Sequence, residues 1–282
     1  MAIAVAVPAA LLAACCFAVA AVLQQEAAAT VPEKESLRPE LIRTLARRPR
    51  WLAGIALSAF SFVVQGAALA FGPLVLVLPL ASTDLLFALP LIARRRRRAL
   101  TRRDVTGAVC TAGGVAAFLA VLPYSASEGR PGLGDWLPLV AVVAACVTVL
   151  VPVGLRASGR VRAGVYAAAA GLLFALLDAL TKSAAGLFRD RGPAALGHWE
   201  PYALILVGGA GLLLAQSSFQ AGSLAISLPL IDTIEPISAV LIGAAVFHER
   251  LATSGYLAVQ ILGAALAVTG IVILDKSPLV RA

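Results

Sequence analysis

The stretch SLAISLPLIDTIEPISAVLIGAAVFHERL, residues 223–251, gives the clearest indication of the fold. It is apolar and long enough to cross a hydrocarbon core of about 30 Å, yet Asp232 and Glu235 lie near its middle, beside Pro229 and Pro236. A carboxylate at mid-membrane depth costs about 2.5–3.5 kcal/mol, so it is rare unless it faces a cavity or a partner. Pro236 has no N–H to donate to the carbonyl of residue 232, which leaves an acceptor beside the two acids. The stretch therefore predicts an ion or substrate site inside a membrane.

The composition of the whole chain is that of an integral membrane protein. Of its 282 residues, 60% are hydrophobic and 13% are charged, whereas an average soluble domain is about 45–50% apolar and about 25% charged. The net charge of +8 comes largely from basic clusters between apolar runs, where they would meet a membrane surface rather than nucleic acid. The four cysteines lie in apolar runs without metal-ligand spacing, so we expect neither a disulfide framework nor a bound cofactor.

Nine apolar runs are predicted to be membrane spans, and the basic residues orient them. With the N-terminus outside, the inner loops hold 18 of the 23 Lys and Arg residues, as the positive-inside rule requires. We therefore predict an all-α polytopic membrane protein, N-out and C-in, and a count of eight or ten spans stays open. An amphipathic helix is predicted at the membrane interface over 24–50, because apolar residues there have helical spacing: Leu37, Leu41, Ile42 and Leu45. The spans cover about 2–23, 51–72, 73–93, 104–123, 136–154, 163–187, 200–221, 223–251 and 254–274.

Residues 51–123 resemble residues 200–274, which predicts an internal repeat. The two segments align with offsets of 150 and 156 residues, through a shared Leu-Pro-Leu step and two spaced glycines. The predicted topology orients them oppositely, so the repeats are inverted, and their halves are 1–135 (spans one to four) and 136–282 (spans five to nine). Inverted repeats with broken helices at mid-membrane are typical of secondary transporters. The matched positions are Pro79 with Pro229, Gly107 with Gly263, and Gly114 with Gly270; with Gly113, these glycines are expected to allow close helix approach.

Polar residues inside the predicted spans form the candidate substrate or ion pathway. Asp84 lies in span three, the inverted counterpart of the span that carries Glu235. Asp178 and Lys182 are four residues apart, either as a self-neutralising pair or with Lys182 facing the other acids until a cation displaces it. Glutamines in spans either line the cavity or form interhelical hydrogen bonds. The candidates are Glu235, Asp84, Asp232, Lys182, Asp178, Gln65 and Gln216, with helix breaks at Pro79, Pro229 and Pro236.

The segment AGSLAISLPLIDTIEPISAVLIGAAVFHERL, followed by GYLAVQILGAALAVTGIVIL, resembles the drug/metabolite transporter superfamily (EamA-like). In that superfamily an acid-proline helix ends in a Gly-Glu-Arg-Leu-like turn, which here reads His248-Glu249-Arg250-Leu251. Nine spans and the lysine of LLDALTKSAAGLF are also similar to the NIPA-type magnesium-transporter branch. Phe62 and Gln65 stand where that branch has an acid followed by an asparagine.

The sequence and this resemblance together imply a secondary transporter of small solutes that works by alternating access in a bacterial plasma membrane. Two alternatives stay open: a Mg²⁺ or other divalent-cation transporter, with Glu235 and Asp84 as the metal ligands, and a non-transporting membrane scaffold. The chain has no nucleotide-binding loop and no nucleophile–base pattern, so we do not expect an enzyme. The expected partners are the lipid bilayer and a small molecule or cation, and both a monomer and a homodimer stay open. Substrate, direction and coupling ion are not predicted.

Overall fold

The structure is a computed structural model that describes residues 2–71, 80, 83–95, 97–121, 131–246 and 254–276. Throughout these ranges the regular structure is helical, with turns between the helices and no strand. Two short 3-10 helices, Glu33–Glu35 and Gly192–Gly197, accompany the α-helices. The α-helices are α1 (Ala2–Ala28), α2 (Pro39–Leu45), α3 (Pro49–Phe71), α4 (Asp84–Arg95), α5 (Arg102–Ala120), α6 (Leu133–Arg156), α7 (Gly159–Arg191), α8 (Glu200–Ala221), α9 (Leu224–Val246) and α10 (Ser254–Asp275).

Six of the described helices, α1 and α6 to α10, are long and apolar enough to cross a membrane. The prediction of an all-helical, multi-pass membrane protein is therefore confirmed, and these six helices correspond to predicted spans one and five to nine. The predicted spans 51–72, 73–93 and 104–123 are not among the six. Two of them correspond to α3 and α5, and α5 begins with the charged residues Arg102, Arg103 and Asp104, which make its first turn polar.

The seam between α5 and α10 depends on glycine. A Cβ atom on Gly263 would lie 2.7 Å from the carbonyl oxygen of Gly114, and one on Gly270 would lie 2.6 Å from that of Gly107. Real Cβ atoms do not approach so closely, so these four glycines let the two antiparallel helices touch along their backbones, as predicted. Gly113 is different, because a Cβ atom there would meet nothing within 4 Å. The prediction that Gly113 also serves helix packing is wrong, since it lies on the outer face of α5.

Two further antiparallel helix pairs, α1 with α3 and α7 with α8, are each joined by a serine hydroxyl that donates to a backbone carbonyl of the other helix. The Ser61 hydroxyl of α3 donates to the carbonyl of Ala13 in α1 at 2.6 Å. The Ser218 hydroxyl of α8 donates to the carbonyl of Ala163 in α7 at 2.7 Å. In addition, α1 packs beside α4, and α7 packs beside α9. The bundle therefore contains two groups of three packed helices, α1 with α3 and α4, and α7 with α8 and α9.

One end of the bundle holds the basic segments that the topology predicts to be cytosolic. Ion pairs and hydrogen bonds join the end of α1, the segment after it, the end of α4, the start of α7 and the end of α10. The segments therefore lie together at this end of the bundle. The ion pairs are Arg95 with Glu26 at 3.3 Å, Arg160 with Asp275 at 3.8 Å, and Arg162 with Glu33.

The segment 24–50 differs from its prediction. Its first residues continue α1, and the only α-helix it holds apart from the helix ends is α2, with seven residues. Leu41 and Leu45 of α2 are fully buried, and α2 packs against α8. The backbone N–H of Leu37, which has a φ of 58°, donates to the Ser217 hydroxyl at 3.0 Å. The leucine spacing read as a membrane-facing stripe is therefore a protein-packing stripe.

Candidate functional site

Four acids lie on three packed helices of the bundle, one of them buried, two half-buried and one exposed. Asp84 begins α4, Asp178 lies on α7, and Asp232 and Glu235 lie on α9. The helix α9 packs against both α4 and α7. Because α9 contacts both other helices, negative charges on these acids would repel one another. The structure thus brings together the four acids that the sequence singled out within its spans.

Asp84 is the first residue of α4 and lies within the predicted span 73–93. Thr83 is a turn residue whose hydroxyl donates to the carbonyl of Leu80 at 2.6 Å, and α4 starts at the next residue. The Asp84 carboxylate is 9% exposed and accepts a hydrogen bond from the backbone N–H of Leu85 at 2.8 Å. A helix that starts inside the bundle presents its N-terminal N–H groups to the interior, as in the broken helices of transporters. The predicted break at Pro79 lies outside the described residues, as does the turn His248-Glu249-Arg250-Leu251.

The helix α9 contributes the most polar part of the region. Within the described ranges the buried Oδ2 atom of Asp232 and the Thr233 hydroxyl have no hydrogen-bond partner. A buried polar atom without a partner costs about 1–3 kcal/mol, so these two atoms are typical of a site that a ligand completes. The prolines predicted as helix breaks, Pro229 and Pro236, are both inside α9, which continues through them as a helix.

Gly171 of α7 was not among the residues predicted from the sequence, yet it lets α9 pack closely against α7. A Cβ atom on Gly171 would lie 3.1 Å from the Ile234 side chain and 3.4 Å from the backbone nitrogen of Glu235. Gly164, Gly171 and Asp178 follow one another at intervals of seven residues, so they lie on one face of α7. This seven-residue spacing was the sequence pattern from which the packing face of α7 could have been predicted. Asp178 itself is exposed on α7.

The remaining candidates lie elsewhere on these helices. Lys182 is exposed on α7, one turn beyond Asp178, and Gln65 is half-buried on α3. Gln216 is fully buried on α8. Its Oε1 atom accepts a hydrogen bond from Trp51 Nε1 at 3.0 Å, and its Nε2 atom donates to Gln24 Oε1 at 2.8 Å. Gln216 therefore joins α8 to α1 and α3, which is the interhelical role that the sequence left open.

We expect Gln216→Leu to lower stability while leaving the carboxyl region intact. The change removes both hydrogen bonds and leaves two buried polar groups without a partner. Each lost intramembrane hydrogen bond should lower the free energy of unfolding by about 0.6–1.7 kcal/mol. Trp51→Phe removes only the first bond and should lower the thermal midpoint in detergent by less. If Gln216→Leu keeps its thermal midpoint but loses solute flux, Gln216 belongs to the pathway and the structural role is wrong.

A metal ion would find limited coordination here. Among the residues that the structure describes, no three His, Cys, Asp or Glu side chains come close enough to hold one ion together. The acids interact through their charges over a wider space than a metal cage would need. Mg²⁺ can nevertheless bind through one or two carboxylates while it keeps several waters. The divalent-cation alternative therefore depends on pairs such as Asp84 and Glu235.

Comparisons with known proteins give one informative match. A protein of Corynebacterium glutamicum, described as uncharacterized, is 30% identical over 230 residues, which cover 81% of this chain and 80% of that protein. No family model matches the chain, and no solved structure matches it. Similarity over four fifths of both chains indicates a shared fold rather than a shared motif. The chain therefore belongs to the family of this Corynebacterium glutamicum protein.

Proposed function

We propose that the protein is a secondary transporter that carries small solutes across a bacterial plasma membrane by alternating access. The observation that carries the proposal is the placement of four acids, Asp84, Asp178, Asp232 and Glu235, on three packed helices of an apolar bundle. Each acid is expensive at membrane depth, and ionisable groups that face a bundle interior are typical of substrate and ion pathways. Four acids from three helices form a site that can exchange a solute for protons or for another cation.

The helix packing supports a nine-span transporter with inverted repeats, N-out and C-in. The group of α1, α3 and α4 corresponds to the group of α7, α8 and α9, and α5 and α10 pack on each other between them. In this correspondence α6 is the additional helix of the second half. Rocking of one group against the other would open the acids to each side in turn. The glycine seam between α5 and α10 is the natural axis of such a motion.

The proposal is tested by flux into reconstituted vesicles. We expect purified protein to move members of a solute panel in response to a proton gradient, and Glu235→Gln to reduce that flux about 10- to 100-fold, the value of a lost contact to a charged group. The matched control is Glu40→Gln, which removes an exposed carboxylate on α2 and should leave flux unchanged. Equal flux in wild type and Glu235→Gln would remove the acids from the mechanism.

The same assay separates the alternatives. Mg²⁺ uptake that is lost in Glu235→Gln, with no organic solute moved, would replace the solute transporter by a divalent-cation transporter. Absence of any flux from wild-type vesicles would favour a membrane scaffold.

A further inference from the structure

A cavity of about 460 Å³ lies at the end of the bundle that holds the basic segments. It is bounded by the N-terminal ends of α7 and α9 and by the C-terminal end of α10. The cavity walls are mainly aliphatic, and its mouth is polar. Its lining includes Arg160, Gly164, Ile226, Leu230, Ile271 and Asp275.

Arg160 and Asp275 form a weak contact at the mouth of the cavity. Arg160 Nη1 lies 3.8 Å from Asp275 Oδ1 and 3.4 Å from the Asp275 carbonyl oxygen. The two side chains are 46% and 57% exposed. Because exposed ion pairs of this kind are worth about 0–1 kcal/mol, the contact can open at little cost.

One face of α9 leads from the residues that line the cavity to the residues beside the acids. Ile226, Leu230 and Thr233 are spaced by four and three residues, so they follow one another on one face of the helix. The first two line the cavity, and the Thr233 hydroxyl is the next polar group on that face. Thr233 is 2% exposed, and its hydroxyl has no hydrogen-bond partner in the described part of the chain. Asp232 precedes Thr233 directly.

We infer that this cavity is the access route from the basic end of the bundle to the acids, and that the Thr233 hydroxyl, about one turn of α9 beyond Leu230, binds the substrate. The inference rests on the proposed transport function and names its substrate class: a small organic amine with an apolar body. Aliphatic walls favour the apolar body by removing it from water, and the carboxylates beyond Thr233 favour the ammonium group. Mg²⁺ dehydrates reluctantly and would gain nothing from these walls.

The route is tested by thiol labelling of the full chain in vesicles. Leu230→Cys is made after the native cysteines Cys15, Cys16, Cys110 and Cys146 have been replaced by alanine. A membrane-impermeant thiol reagent applied at the basic end should label Leu230→Cys at least about tenfold faster than Leu206→Cys, because water reaches a cavity and not the lipid. Leu206 is 74% exposed on α8, where lipid covers it. Equal labelling of the two positions would overturn the route.

The substrate class is tested by protection from the same label. Hexylamine should slow labelling of Leu230→Cys, whereas hexanoate and MgCl₂ at the same concentration should not. Adding Thr233→Val should weaken the protection about five- to tenfold, the loss of one hydrogen bond, and Thr233→Ser should restore it. Protection by MgCl₂ alone, or full protection in Thr233→Val, would overturn the assignment.

Failure of the route and failure of transport give different results. If Leu230→Cys is labelled and protected by hexylamine but wild-type vesicles move no solute, the cavity stands as a binding site and transport is wrong. If flux depends on Glu235 while Leu230→Cys reacts no faster than Leu206→Cys, transport stands and the route is wrong.

Discussion

Gly114→Ala is expected to lower stability by about 1–3 kcal/mol through overpacking, whereas Gly113→Ala, one residue away, should lower it hardly at all. A Cβ atom on Gly114 would collide with the backbone of Gly263 and Ala267, and helix backbones cannot yield as a flexible side chain can. At Gly113 the same atom meets nothing within 4 Å. Alanine is also the better helix former by about 0.8–1.0 kcal/mol, so we expect Gly113→Ala to be neutral or stabilising. The thermal midpoints of the two purified variants in detergent measure the difference.

A second substitution tests the same seam from the other helix. Gly270→Ala on α10 should behave like Gly114→Ala, because its Cβ atom would meet the backbone and side chain of Thr111. Equal midpoints for Gly113→Ala and Gly114→Ala would mean that α5 and α10 do not pack through these glycines. In that case the correspondence between the two groups of helices would lose its central contact.

The glycines illustrate how much of the fold the sequence could predict. Gly107 and Gly114 are seven residues apart, as are Gly263 and Gly270, so each pair lies on one helix face and the close approach could be expected. The prediction grouped Gly113 with these four glycines because it rested on the residue type and not on the angular position of each glycine around the helix. A helix rotates by about 100° per residue, and that rotation turns Gly113 away from α10.

The segment 24–50 shows a different limit. The spacing of Leu41 and Leu45 predicts one apolar face, and the structure contains that face. Whether the face meets lipid or another helix depends on tertiary packing, which leaves no trace in the spacing itself. The burial of both leucines against α8 decided the question.

The candidate site also contains some residues that the sequence could predict and others that it left ambiguous. Asp84, Asp232 and Glu235 could be found because a charge in an apolar span is costly wherever it lies. Asp178 was ambiguous, since a lysine four residues later explains it equally well without a site. Gln216 was ambiguous too, because a glutamine that lines a cavity and one that accepts a hydrogen bond from Trp51 have the same sequence context.

Removing two of the acids together is expected to be no worse than removing the more damaging one alone. Asp84→Asn and Glu235→Gln should each reduce flux about 10- to 100-fold, as expected for losing a contact to a charged group. The two acids lie on helices that pack together and, by our proposal, act on one bound solute. Once the first substitution has disabled that site, the second has little left to remove, so the double variant should be strongly non-additive.

The control for this cycle combines Asp84→Asn with Gln216→Leu. Gln216 belongs to the hydrogen-bond network of α1, α3 and α8 rather than to the acids, and independent sites usually add within about 0.3–0.5 kcal/mol. Initial flux rates in vesicles, corrected for the amount of folded protein, give both coupling free energies. Additive losses for Asp84→Asn and Glu235→Gln would place the two acids in separate steps. Such a result would divide the pathway into two sites, because acids that serve one bound solute cannot lose their contributions independently.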